Sequence, residues 1–564
     1  MDKVDYIVVG AGPGGCATAA RLAEGRPNRT VAIVETGSDG PGLLSRMPLG
    51  IAGIVPFKSE RNYAYETLPQ AGLGGRRGYQ PRGRGVGGSS LINAMIYIRG
   101  QPQDYDGWEA LGCDGWSWRD VLPYFRRAED NARGASALHG SGGPVRVEEL
   151  REHNLATQAF VDGAAEAGFT LNDDFNGETQ EGVGRYQVFQ EAGRRKDAGT
   201  AYLGPIGSRR PNLRVLDNAQ ASRILFDGKR AVGIEYRRGD AMRRLYAAEE
   251  TVLAAGAFGT PQLLMVSGIG PGDRLGALGI DIVADRHEVG KNLQDHLDYT
   301  ILVRSKAPGL LGFNLSTLAK TPGGLLSWSK SGRGFLTSNV AEAGGFLKTR
   351  DDLGRPDIQF HYCIAYVDDH CRKVHLGTGY SLHVCVLRPY SRGEVGIESA
   401  DIRQAPLIDP NFLSDPRDLD TLVEGVRLAE KILGTPTMRA ISKEVLYCGL
   451  GEDEATLRKS VRLRADTIYH PVGTCRMGSD ADSVVDPQLR VRGVERLRVA
   501  DASIMPTLVS GNTQAPTAMI GEKAADMILR RQTRPRATGR VIDMERADGK
   551  CRRIPAACEA VVSK

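Results

Sequence analysis

The chain has 564 residues, 41% hydrophobic and 25% charged, which suits a globular enzyme of two to four domains. A net charge of +5 over that length gives no basic stripe for nucleic acid, and nine scattered cysteines without a C-x-x-C pair argue against a zinc site or a disulfide framework. With no apolar run of about 18 residues and no leader-like start, the expected location is the cytoplasm or the face of a membrane. Seventy glycines, about an eighth of the chain, mark many turns where backbone can approach a ligand closely.

The first element is an apolar strand, Tyr6 to Val9, running into Gly10, Gly12 and Gly15 in G-x-G-x-x-G spacing. An alanine-rich helix follows, then a second strand, Val31 to Val34, that ends in Glu35 twenty residues past the third glycine. Gly10 permits the tight turn, Gly12 lets a pyrophosphate approach the backbone, and Gly15 lets helix and strand pack closely. The helix start faces the phosphates and Glu35 can accept from a ribose, so the unit is read as an adenine dinucleotide site. The acid would repel the 2′-phosphate of NADP; the fingerprint leaves NAD and FAD open.

"GRGVGGSSLINAMIYIRG", from Gly83 to Gly100, is a small-residue loop where backbone can approach a planar or charged ligand. "TVLAAGAFGTPQLLMVSGIGP", from Thr251, reads as a strand, a turn, and a helix opening near Pro261 and closing before Gly268. "VGKNLQDH", from Val289 to His296, is a polar loop. Between about Lys306 and Asp466 the βα rhythm gives way to short alternating runs such as "YSLHVCVLRP", which predict antiparallel strands. "YHPVGTCRMG" then places His470 before a Pro-Val-Gly turn; an isolated histidine of this kind is more often a buried, hydrogen-bonded core residue than a functional one. From Leu497 a strand and an irregular loop lead into a long helix with Pro516 in its first turn. The last segment, Arg530 to Lys564, carries a net charge of +6, leaving the body near neutrality. It is read as a solvated tail or a contact with an anionic membrane. No nucleophile elbow, H-E-x-x-H or P-loop sequence occurs, so no metal site is expected.

These motifs together resemble the glucose–methanol–choline (GMC) family of flavin oxidoreductases from about Asp5 to Leu529. "GRGVGGSSLIN" and "GAFGTPQLLMVSGIG" match its two signatures, while "INAMIYIRGQPQDYDGWEALGCDGWSW" and "AEAGGFLKT" point to the bacterial choline dehydrogenase and alcohol dehydrogenase branch. The resemblance implies an α/β fold with a Rossmann-like FAD domain from residues 1–155, 200–305 and 465–530. A second substrate domain of antiparallel sheet and helices, 156–199 and 306–464, would cover the flavin, with a basic tail at 531–564.

It further implies that FAD lies along Gly10, Gly12, Gly14, Gly15 and Glu35; along Arg82, Val86, Gly87, Gly88, Ser89, Asn93 and Ala94; and along Ala221, Ala255, Gly256, Asp501, Ala502, Asn512, Thr513 and Gln514. Asp501 has a competing reading as a turn cap. His470 and Asn512 match the family's catalytic pair: a neutral imidazole accepts the alcohol proton, and an amide supports the forming alkoxide. Relatives that attach FAD covalently use a histidine where Ile92 stands here, so FAD is expected to be non-covalent. Glu342 matches an acid that can face the cationic head of choline, but Val340 and Ala341 stand where an aromatic cage would be expected. The implied function is oxidation of a primary alcohol to the aldehyde by hydride transfer to flavin N5, with electrons passing to a quinone-like acceptor. The alternatives are an alcohol oxidase using O2, a choline dehydrogenase and, more remotely, a lyase or a non-redox FAD protein of the same fold.

Overall fold

The computed structural model describes residues 2–204 and 210–533; the basic segment 534–564 lies outside the described residues. The chain opens with β1 (Asp2–Val9), α1 (Pro13–Gly25) and β2 (Val31–Val34). Most of β1 and all of β2 are buried, so both can be apolar on both faces, as parallel strands between two layers require. After β3 (Gly182–Arg185) come β4 (Leu213–Leu216), β5 (Ala219–Asp227), β6 (Arg230–Arg238), β7 (Ala241–Leu253) and α2 (Gly256–Val266). Then follow β8 (Leu297–Arg304), α3 (Leu315–Ser331), β9 (Ala341–Leu347), β10 (Ile358–Cys363) and β11 (Gly379–Val386), and finally β12 (Leu497–Val499) and α4 (Gln514–Thr533).

Two seven-stranded sheets result. The first runs β4-β2-β1-β7-β6-β5, with β12 also on β7. On the edge away from β1, the long β7 serves two partners: β6 pairs antiparallel with its first half, Ala241 to Tyr246, and β12 pairs parallel with its end, Thr251 to Leu253. The second sheet is antiparallel, in the order Glu444–Leu446, β8, β11, β10, β9, β3, with the short strand Asp466–Thr467 also on β8. One core joins the first sheet to α1 and α4 through residues such as Val8, Ile33, Ala17 and Met519. Another packs Phe360, Leu382 and Val384 of the second sheet against Leu422, Val423 and Val426 of helix Pro416–Leu433.

Two expectations shift. Strand β8, which a boundary at 305 leaves in the first unit, pairs along its whole length with β11 of the second sheet. Its apolar run, Tyr299 to Val303, follows a loop rather than a helix, so no βα rhythm ties it to the dinucleotide unit. Helix α2 begins at Gly256, with Pro261 inside it. Proline removes the N–H that would bond the Ala257 carbonyl, and the Thr474 hydroxyl donates to that carbonyl instead, at 2.6 Å.

Gly10 has φ +99°, and a Cβ there would lie 2.3 Å from the Ala254 carbonyl oxygen. A Cβ on Gly15 would lie 1.9 Å from the Gly10 carbonyl oxygen, so α1 can sit this close to the end of β1 only without a side chain at Gly15.

Candidate active site

Between the two sheets lies a cavity of about 360 Å³. One end is built by the β1–α1 turn, the end of β2 and the start of α2: Gly10, Gly12, Gly14, Glu35, Ala221, Ala255 and Gly256 all line it. Helix α1 starts at Gly12 without a side-chain cap, leaving its first N–H groups for a ligand. A Cβ on Gly12 would have only the Ala254 carbonyl oxygen within reach, at 4.0 Å, so protein packing does not demand glycine there. The missing side chain leaves room in the cavity itself.

Glu35 has an additional job. Its carboxylate accepts from the backbone N–H groups of Ala11 at 2.9 Å, Gly37 at 2.9 Å and Gly85 at 3.0 Å, clamping three loops together. Burial raises its pKa despite these donors. Asp501 also lines the cavity and is a cap: it accepts from the Ser503 N–H, the Gly256 N–H at 2.8 Å and the Thr260 hydroxyl at 2.6 Å. The carboxylate that lines the cavity thus also serves as a turn cap.

Arg82, Gly88, Ser89, Asn93, Ala94, Ala502, Thr513 and Gln514 line the middle of the cavity. The Asn93 amide donates to the Gln514 side chain at 2.5 Å, tying the small-residue loop to the start of α4. Val86, Gly87 and Gly15 do not line it; they pack behind the wall. A Cβ on Gly87 would meet the Asp197 carboxylate and Leu91, which is why that place takes glycine.

At the far end stand His470 and Asn512, whose Nε2 and Nδ2 are 3.2 Å apart. The neighbouring contacts assign the protons. His296 Nε2 lies 3.0 Å from the Leu387 carbonyl, which can only accept, so Nε2 carries the hydrogen. Burial holds the His296 pKa down at about 4, so the ring is neutral and its Nδ1 is a lone pair. His470 Nδ1, 3.0 Å away, must then be the donor. Its Nε2 is left as a lone pair that accepts from the Asn512 amide. The amide is oriented in turn by the Gln359 side chain, which donates to Asn512 Oδ1 at 3.1 Å. Burial, then the neighbouring His296, His361 and Arg82, keep the His470 pKa well below the usual histidine range.

The backbone at His470 is held just as firmly. Tyr469 sits at φ +78°, an uncommon conformation for a bulky residue. This turns its carbonyl to Arg82 Nη2 at 2.7 Å and the His470 N–H to the Asp295 carboxylate at 2.8 Å. Burial pushes Asp295 up to about 6 and Arg82 down to about 10.

Glu342 is elsewhere. Ala341 lines the cavity, whereas Glu342 occupies a register shift in β9 and directs its carboxylate to the hydroxyls of Ser338 and Thr157, both at 2.6 Å. Among the described residues, the carboxylates that line the cavity are Glu35 and Asp501, both at the glycine-rich end. Facing His470 instead are His361 and Cys363 of β10 and His383 of β11, which share a sheet face by strand alternation. Burial opposes charge on His383, yet the Asp298 carboxylate, 2.6 Å from Nδ1, raises its pKa well above the usual range.

Sequence reasoning passed over His296, although its loop was marked as polar, and over Gln359, Arg195 and Asp295. Arg195 donates to the Asn93 carbonyl at 2.7 Å and to the Asn93 side chain at 2.8 Å, fixing the wall beside Gln514. Nothing in the local "GRRKD" pattern marks it as buried.

Residues 4–298 match the N-terminal family model described as GMC oxidoreductase, and 389–521 match its C-terminal counterpart. The chain is 44% identical to an alcohol dehydrogenase (acceptor) of Pseudomonas putida, covering 93% of this chain and 96% of that one. It is 41% identical to a mitochondrial choline dehydrogenase of Homo sapiens, covering 93% and 90%. Among solved structures, pyridoxine 4-oxidase from Mesorbium loti superposes with a TM-score of 0.84 at 29% identity, over 93% of this chain and 98% of that one. Two family models and relatives matched along nearly their whole length place this site in a known frame: the chain belongs to the GMC oxidoreductase family.

Proposed function

We propose that this oxidoreductase binds FAD non-covalently and oxidises an uncharged primary alcohol to its aldehyde, with electrons passing to a quinone-like acceptor. The observation that carries the reading is the lone pair on His470 Nε2 beside the Asn512 amide, at the opposite end of one cavity from an uncapped helix start and an open Gly12. Such a cavity suits a long dinucleotide: phosphates at α1, the ribose near Glu35, and the planar ring against Asn93, Ala94 and the start of α4. Ile92 offers no nitrogen or sulfur for a covalent link, which supports a non-covalent cofactor.

When bound, flavin supplies the hydride acceptor. The chain's own part is the proton and the orientation. An alcohol hydroxyl entering between the pair donates to His470 Nε2, and the Asn512 amide turns its N–H from the imidazole to the alcohol oxygen. The proton arrives on Nε2 as negative charge builds on that oxygen. His296 accepts from Nδ1–H throughout and keeps the ring in the tautomer that can take it. The N-terminal end of α4, at Gln514, adds a positive dipole on the same side of the cavity.

The electrostatics favour an uncharged alcohol over choline. Among the described residues no carboxylate lines the cavity at the His470 end: Asp295 is turned to the His470 backbone, Glu342 to Ser338 and Thr157, and Asp298 is paired with His383. The test is anaerobic mixing with choline and with a series of primary alcohols while following flavin absorbance. Bleaching by alcohols that persists until a quinone is added supports the reading. Colour returning with air within one turnover would make the enzyme an oxidase, and bleaching by choline alone would overturn the substrate assignment.

A further inference from the structure

Helix α3 is turned inside out. At 100° per residue, Leu315, Leu318, Ala319, Pro322, Leu325 and Leu326 share one side. That side faces solvent: Leu315 is 84% exposed, Leu318 69% and Leu326 54%. The side facing the protein carries Thr317, Thr321, Gly324 and the buried Trp328. Phe313, just before the helix, is 66% exposed and pairs with the segment of Leu376, itself 82% exposed. A patch of this kind on a protein surface marks an interaction site rather than ordinary scatter.

The helix has little reason of its own to persist. Asn314 caps it by accepting from the Thr317 N–H at 2.8 Å, and Gly332 closes it at φ +60°, but Pro322, Gly323 and Gly324 sit in its interior. Its leucines gain nothing from the core.

Charge says what covers them. From 305 to 341 the chain has Lys306, Lys320, Lys330 and Arg333 and no acidic residue. All four are exposed, and none forms an ion pair among the described residues. Packed against the helix are two more cations: Arg194 over the Trp328 ring and Arg151 at the Gly332 carbonyl. The carboxylates beside it are engaged: Glu152 accepts from the Gly334 N–H, Glu148 pairs with Arg146, and Glu191 pairs with Lys196. A second copy pairing symmetrically through this face would bring its cations against the same cations. The C-terminal tail carries a net +6 and would be repelled in the same way.

We propose that α3 is an interfacial helix that lies on an anionic lipid bilayer, its leucines among the acyl chains and its lysines at the headgroups. No helix of the described residues is long and apolar enough to cross a membrane, so the contact is peripheral. The surface adjoins the cavity on two sides. Trp328 packs on Met47, just before Ile51, Ala52 and Val55 of the cavity wall, and the Leu376 segment follows the wall residues His370 and Cys371. The proposal stands on these surface features and holds whether or not quinone is the acceptor.

The test uses the full-length, flavin-loaded protein in flotation with vesicles of equal parts phosphatidylglycerol and phosphatidylcholine, and with phosphatidylcholine alone. The parent should float with the anionic vesicles and lose binding in high salt. The variant L318E/L326E should lose about tenfold or more of its partition while keeping its circular dichroism and melting temperature, since both side chains are exposed. Unchanged flotation of that variant would overturn the proposal, as would equal binding to the neutral vesicles. A concentration-dependent dimer of the parent that the variant abolishes would overturn it in favour of a second copy.

Discussion

His296 touches no part of the proposed substrate position directly, yet it sets the tautomer of His470, so His296→Phe isolates that effect. The ring shape is kept while two partners are lost: the Leu387 carbonyl loses a donor, and the His470 Nδ1–H loses its acceptor at 3.0 Å. A buried polar group left without a partner costs about 1–3 kcal/mol. His470 can relieve its share by moving the proton from Nδ1 to Nε2, which removes the lone pair from the cavity. With about 1.4 kcal/mol per factor of ten, the working tautomer falls by roughly 10- to 100-fold. The anaerobic rate of flavin bleaching at saturating alcohol should fall by that factor, with flavin content unchanged. His296→Gln, whose amide can both accept from Nδ1–H and donate to Leu387, should restore most of the rate. A His296→Phe protein that bleaches within about twofold of the parent would refute the tautomer argument.

Gly12→Val should fold, because its Cβ meets only one atom at 4.0 Å, but should purify colourless; a normal flavin content would show that no phosphate approaches there. Glu342→Gln should leave kcat/KM for alcohols and for choline within about twofold, while melting falls by roughly 1 kcal/mol of stability, read by thermal denaturation; a large change in KM would mean that the carboxylate reaches the substrate. Because burial holds His470 below the usual histidine range, its base form persists as pH falls through about 6.5. The kcat/KM profile should therefore stay flat there, and an acid limb at or above that pH would assign the base to another group. The buried neutral His296, His361 and His470 all bind protons more weakly folded than unfolded, so melting temperature should decline on acidification below about 6.5.

The dinucleotide unit was legible because its parts lie close together in sequence: Tyr6 to Glu35 spans strand, turn, helix, strand and acid, each with its own local signature. His470 and Asn512 were legible through their motifs and not through spacing, since strands and loops from four distant segments converge on them. What stayed hidden was the support. Gln359 is on a strand whose alternation says only that it faces one side, and Arg195 reads as one more surface arginine in a charged run. Glu342 misled because a strand's two faces differ by one residue, and a local register shift decides which way a side chain turns. Helix α2 was placed late because proline usually opens a helix, and the compensating hydroxyl of Thr474 comes from far along the chain.

The central claim is that His470 Nε2 takes the alcohol proton. It is tested most directly by anaerobic single-turnover bleaching of flavin-loaded His470→Ala beside the parent, with the alcohol that bleaches the parent fastest. Loss of a positioned general base predicts a fall of about 10²- to 10⁴-fold with flavin still bound. A variant that bleaches within tenfold of the parent would contradict the account.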